Sequence, residues 1–199
     1  MSNLKQQQID CLGVVLAGGL SSRMGKDKAM LQHKNSDMLN FSQQLLRDAG
    51  IKKVVVSGNQ HQVADIVNNL GPVGGIYSVL TQYQPKALLI IPVDLPLMNA
   101  SALQKLKLAG ELSQKACFFE NNNIPLYLPN SAYLQLFFER TFHNMPNTDT
   151  TVPSQKKSGP SVKAMLKGLP HQSIAIDNPT WLFNSNTPEQ WQHAKKQFT

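Results

Sequence analysis

Arg23, Lys26 and Lys28 fall in one short loop that opens on Gly18-Gly19 and also carries Ser21, Ser22 and Gly25. Glycine lets backbone N–H groups close around an anion, and the basic side chains supply the opposite charge. An arginine can do so through two parallel hydrogen bonds. The chemistry these residues suit is phosphate binding. The loop is not a Walker A loop, because five residues separate Gly19 from Gly25 and Asp27 follows Lys26, where that motif has a shorter spacing and Ser or Thr after its Lys. Gly18-Gly19 with Gly25 also misses the register of the dinucleotide fingerprint. The other group able to do chemistry is Asp94, at the end of the apolar run ALLIIPV and just before Leu95-Pro96. A carboxylate there serves either as a turn residue bonded to local backbone or as a metal ligand. Mg²⁺ takes one or two protein carboxylates and completes its shell with water and phosphate oxygens. A basic phosphate loop with such an Asp suits phosphoryl or nucleotidyl transfer, reactions that depend on positioning and charge neutralisation. His33, His61, His143, His171 and His193 share no metal-ligand spacing, so each reads as a surface or internally bonded histidine. No Gly-x-Ser-x-Gly elbow is present.

Positioning those groups requires strands that end beneath them. Residues 11–17, 53–57 and 87–93 read as strands, short and continuously apolar as in a parallel sheet covered on both faces. Each ends in a candidate segment: the 18–28 loop, Ser57-Gly58-Asn59, and Asp94. Helices are predicted over 37–49, over 62–70 as a short one, over 75–83 after the turn Gly71-Pro72-Val73-Gly74-Gly75, and over 101–108. Residues 116–119 and 124–128 read as a hairpin joined by Asn121-Asn122-Asn123. Helices over 132–143 and 161–168, short strands over 173–176 and 181–184, and a last helix over 187–197 complete the pattern. Residues 147–160, rich in Ser, Thr, Pro and Lys, read as a loop; Lys156 and Lys157 are either solvated there or part of a lid over an acceptor phosphate. The alternation predicts a three-layer α/β fold with a mostly parallel, mixed central sheet. In such sheets ligands bind beyond the carboxyl ends of the strands.

Composition narrows the partners. At 199 residues, 41% hydrophobic and 16% charged, the chain suits one compact domain with a full core. The net charge of +7 fits an anionic ligand. The lysines are spread along the chain and aromatics make up only 7%, so neither a nucleic acid nor a membrane is indicated as a partner. Cys11 and Cys117 suit buried thiols in a reducing compartment. No apolar window approaches the length of a membrane span and the first residues show no apolar signal region, so a cytoplasmic location is expected.

The segment LAGGLSSRMGKDKAML resembles the N-terminal signature of the molybdenum cofactor nucleotidyltransferases, and within them the guanylyltransferases that join GMP from GTP to molybdopterin cofactor. GPVGGIYSVL, IIPVDLPLM, IPLYL, SVKAMLKG and LFNSNTPEQW are similar to further family segments and follow in the family's order. The resemblance implies a Rossmann-like nucleotidyltransferase fold in one domain over 1–199, with a nucleotide-binding half over about 11–100 and an acceptor-binding half over about 101–199. It implies nucleotide contacts at Leu16, Ala17, Gly18, Gly19, Lys28, Ser57, Asp65 and Asp94, and catalytic roles for Arg23, Lys28 and Asp94. It also implies a Mg²⁺ cofactor on Asp94, acceptor contacts at Asn184 and Asn186, GTP and molybdopterin cofactor as substrates, and transient contacts with proteins that make or receive the cofactor. The chain departs from the family pattern at Ser57, in a short 59–71 segment, and at Asn123-Ile124, near the base and acceptor contacts. A cytidylyl-transferring relative, a related nucleotidyltransferase with another acceptor, and a non-catalytic nucleotide-binding adaptor are the alternatives.

Overall fold

The apolar runs become strands of a single six-stranded sheet. The structure is a computed structural model that describes residues 8–18, 28–34, 36–58, 61–67, 70–142 and 159–198. In chain order its elements are β1 (Cys11–Leu16), a 3₁₀ turn (Lys28–Met30), β2 (Gln32–His33), β3 (Ser36–Asp37), α1 (Met38–Asp48), β4 (Lys53–Ser57), α2 (Gly71–Tyr83) and β5 (Ala87–Pro92). There follow α3 (Ala100–Ser113), β6 (Ala116–Phe119), β7 (Leu126–Pro129), α4 (Ala132–Phe142), α5 (Val162–Lys167), β8 (His171–Ile174), a second 3₁₀ turn (Pro179–Leu182) and α6 (Pro188–Lys195). The sheet order is β4-β1-β5-β7-β6-β8, and β2 and β3 form a separate two-stranded ribbon. Only β7 runs against the others, pairing antiparallel with both β5 and β6.

Successive strand residues point to opposite faces, and each face builds its own core. Val15, Leu89, Ile91 and Phe119 meet Leu46 of α1, Leu103 of α3 and Trp191 of α6. Val14, Leu16, Leu88, Ile90 and Leu126 meet Ile76 of α2, Leu134 of α4 and Met165 of α5. The three-layer expectation is met, with a mixed and mostly parallel sheet. Among the described residues no helix is long and apolar enough to cross a membrane.

Side-chain caps start several helices. Asp37 accepts the Asn40 N–H and caps α1; Ser161 does the same for α5 through Ala164. Thr187 and Gln190 form a reciprocal capping box on α6.

Some expectations are corrected. The short helix over 62–70 does not form in the described residues. Val63 instead bridges Ser57, the Val63 N–H bonds the Val56 carbonyl, and the Gln62 Oε1 accepts the Val56 N–H. A strand end offering backbone groups overrides a weak helical pattern. The 71–75 glycine turn is itself the first turn of α2, with Pro72 where its missing N–H costs nothing. Residues 181–184 are no strand: Asn178 caps a 3₁₀ turn that already takes in Trp181 and Leu182. α3 runs on to Ser113, beyond the expected 108. The loop expected over 147–160 lies outside the described residues up to 158.

Candidate active site

β1 leads outward to β4, and the chain then returns to the other side of β1 as β5. The strand order therefore reverses between β1 and β5, the place where open α/β sheets bind ligands. The three strands also end level, since Leu16 is in register with Ser57 on one side and Pro92 on the other. Hydrogen bonds carry that alignment one residue further. The Ala17 N–H donates to the Ser57 carbonyl at 2.9 Å, and the Val93 N–H donates to the Leu16 carbonyl at 3.2 Å. Leu16, Ala17, Gly18 and Asp94 thus share one sheet edge.

Gly58 closes this edge on the β4 side. Its φ is +154°, and a Cβ there would lie 3.1 Å from the Gly18 nitrogen and 3.3 Å from the Ala17 carbonyl carbon. Only a residue without a side chain lets the two backbones exit so close together. Ser57 is 2% exposed and its hydroxyl is packed toward Gly75 in α2. The segment bearing Asp65 is tied to α2 through Ser78, whose hydroxyl accepts the Ile66 N–H at 2.8 Å and donates to the Gly74 carbonyl at 2.9 Å. Asp65 is half-buried, and that desolvation raises its pKa above the usual carboxylate value.

Asp94 is half-buried, with its Oδ1 shut off from solvent. Two remote segments grip the turn it begins. The Ser185 N–H donates to the Asp94 carbonyl at 3.0 Å, and the His33 Nε2 bonds the Pro96 carbonyl at 2.9 Å. The first contact puts Asn184, exposed, and Asn186, half-buried, beside the strand end. The Gln190 Oε1 accepts the N–H groups of Asn186 and Thr187 at 2.7 and 3.1 Å, so α6 presets the shape of that segment. The second contact brings in the stretch that starts at Lys28, whose 3₁₀ turn is anchored by the fully buried Ala29. Gly19 and Arg23 lie outside the described residues.

Among the described residues no group of three or more His, Cys, Asp and Glu could cage a metal. The described donor is one strand-end carboxylate, Asp94, level with the backbone of Leu16, Ala17 and Gly18. That fits Mg²⁺, which keeps water and substrate oxygens as ligands, and does not fit an all-protein cage. His33 takes the internally bonded one of its two expected forms; its partner 63 residues away is what an isolated histidine between Leu31 and the apolar stripe of α1 does not signal.

Residues 13–138 match the family model described as MobA-like NTP transferase domain. The chain is 38% identical over 186 residues to the molybdenum cofactor guanylyltransferase of Xanthomonas euvesicatoria pv. vesicatoria (strain 85-10), covering 90% of this chain and 91% of that protein. Its fold is similar to the crystal structure of molybdopterin-guanine dinucleotide biosynthesis protein A from Archaeoglobus fulgidus, with a TM-score of 0.70, 16% identity, and coverage of 94% of this chain and 97% of that one. It is also similar in fold to a Mycobacterium tuberculosis H37Rv protein crystallised in complex with manganese, with a TM-score of 0.59, 14% identity, and coverage of 94% and 98%.

Proposed function

The chain belongs to the MobA-like NTP transferase family, and from that premise we propose that it transfers GMP from GTP to molybdopterin cofactor in the cytoplasm, releasing pyrophosphate. The observation that carries this reading is the meeting of Asp94 at the β1/β5 switch point with the 184–186 segment bonded to its carbonyl. One side of that junction offers a carboxylate and the backbone of Leu16, Ala17 and Gly18, and the other offers amide side chains able to read a heterocycle.

In the proposed reaction an oxygen of the acceptor's terminal phosphate attacks the GTP α-phosphorus. The bond from that phosphorus to the bridging oxygen breaks, and pyrophosphate leaves with the electron pair. The backbone of Leu16, Ala17, Gly18 and Gly19 holds the nucleotide, with Ser57 and Asp65 on the same side. Arg23 and Lys28 stabilise charge that builds on the phosphates. Asp94 would hold Mg²⁺, which when bound neutralises phosphate charge. Asn184 and Asn186 orient the acceptor. In this reading 1–199 is one nucleotidyltransferase domain, with the nucleotide on the 11–100 half and the acceptor on the 101–199 half. Transient contacts with proteins that make or receive the cofactor belong to the same role.

The test is pyrophosphate release with Mg²⁺ and molybdopterin cofactor, run in parallel with GTP, CTP, ATP and UTP. Release with GTP alone is expected. Release with CTP alone would keep the mechanism and change the base. Nucleotide binding with no release from any of the four would favour a different acceptor or a non-catalytic adaptor.

A further inference from the structure

His33 is 4% exposed, although it belongs to a ribbon strand of only two residues. Its ring stacks on Phe41 of α1, with centroids 3.8 Å apart and planes 23° apart, and on its other contact meets Phe198 at 4.2 Å. A carbonyl oxygen only accepts, so the Nε2 facing the Pro96 carbonyl carries the proton. Burial lowers the imidazole pKa, which favours the neutral ring. Pro96 is itself buried, so its carbonyl depends on this donor in place of water. The turn beginning at Asp94 is therefore held at both ends, by the Ser185 N–H on the Asp94 carbonyl and by His33 on the Pro96 carbonyl. Phe198, which packs on the His33 ring, also meets Trp191 of α6. The helix that presets 184–186 and the tail behind the histidine are thus one packed unit.

We propose that His33 is a positioning residue, whose ring N–H, held between Phe41 and Phe198, fixes the Asp94-Leu95-Pro96 turn and so aims the Asp94 carboxylate. The proposal rests on the reading of Asp94 as the metal carboxylate. A histidine that only filled space would be replaced without loss by another ring. A positioning histidine needs its donor more than its ring. Outer partners that orient a ligand typically alter metal affinity by about 10- to 100-fold when removed.

The experiment compares the full chain with His33→Phe, His33→Gln and Asp94→Asn. Phe keeps the ring without the donor, and Gln keeps a donor without the ring. Amide hydrogen exchange over 93–98 is measured in the metal-free protein, and Mn²⁺ affinity is measured by electron paramagnetic resonance with GTP present. His33→Phe should speed exchange over 93–98 and weaken Mn²⁺ binding by about tenfold. His33→Gln should recover most of both, and Asp94→Asn should lose the most Mn²⁺ affinity. Loss in His33→Gln as deep as in His33→Phe overturns the proposal, as does His33→Phe behaving like the parent. Asp94→Asn binding Mn²⁺ like the parent overturns the metal reading of Asp94 and the proposal with it. If His33→Phe does not fold, His33→Leu carries the test. It removes the donor and leaves an apolar side chain in the same place, so it should weaken Mn²⁺ binding as His33→Phe does, and unchanged affinity overturns the proposal.

Discussion

On one side of the sheet β4, β1 and β5 run parallel, stay in register to their last residues and are tied again beyond them, Ala17 to Ser57 and Val93 to Leu16. On the other side β7 and β6 stop pairing at Leu126 and Phe118, then pass through a turn over 120–125 with Asn121 at φ +63°. β5 is buried along nearly its whole length, whereas the edge strand β8 alternates between exposed and half-buried residues. The difference follows the two tasks in the proposed reaction. Phosphate held by backbone N–H groups needs those groups fixed, because misplacement of reacting groups by an ångström costs large factors in rate. In that reading the acceptor asks less of β6 and β8, because Asn184 and Asn186 stand on a segment held by Asp94 and Gln190.

That contrast can be broken or sharpened by mutation. The largest effect is expected for Asp94→Asn, which keeps size and shape but removes the charge. Pyrophosphate release should fall by about 10³-fold with an unchanged circular dichroism spectrum, and a near-normal rate would remove Asp94 from the chemistry. Gly58→Ala attacks the precise side by pushing a methyl into the Ala17–Gly18 backbone. It should cost about 1–3 kcal/mol of stability and raise the KM for nucleotide. Gly110→Ala is its counterpart on the other side, where a methyl would strike the buried Tyr127 ring. Overpacking there should cost a similar ~1–3 kcal/mol, read as a lower Tm, with the nucleotide KM unchanged. If both glycine variants altered the nucleotide KM alike, the division between the two sides would fail.

Asn184→Ala should raise the acceptor KM by about fivefold, the worth of one ~1 kcal/mol hydrogen bond, and leave the nucleotide KM alone. The smallest effect concerns pH. The His33 pKa in the folded chain lies below its ordinary 6.5, so the unfolded chain takes up this proton first as pH falls. The contribution of neutral His33 is full above 6.5 and is lost as pH drops through the folded-state value. A plot of Tm against pH should show that slope in the parent and a flatter one in His33→Gln.

Much of the precise side was legible because its signals are local. The strand over 53–57 matches β4 at both ends, and the 11–17 and 87–93 runs each exceed β1 and β5 by one residue. Continuous apolar runs that stop at Gly or Asp leave little choice to a chain that must bury them. Asp37, Ser161 and Thr187 cap helices for equally local reasons. The looser side was read less well. The strand expected over 173–176 forms as β8 two residues earlier, because its register is set by pairing with β6 and not by its own residues. The β2–β3 ribbon, two residues a strand, is too short for any periodicity to announce it.

The three-layer α/β class, the apolar strands and the placement of Gly18 and Asp94 at strand ends could be read from the chain alone, since these follow from hydrophobic period and turn residues within a few positions. Long-range packing was needed to bring Gln62 and Val63 back onto β4 in place of a helix over 62–70. The packing also brought Ser185 to Asp94 and set the His33 ring against Phe41 and Phe198 with its Nε2 on the Pro96 carbonyl. Each of those choices depends on a donor or acceptor brought from elsewhere by the packed core, and a buried backbone group takes whichever partner the fold delivers.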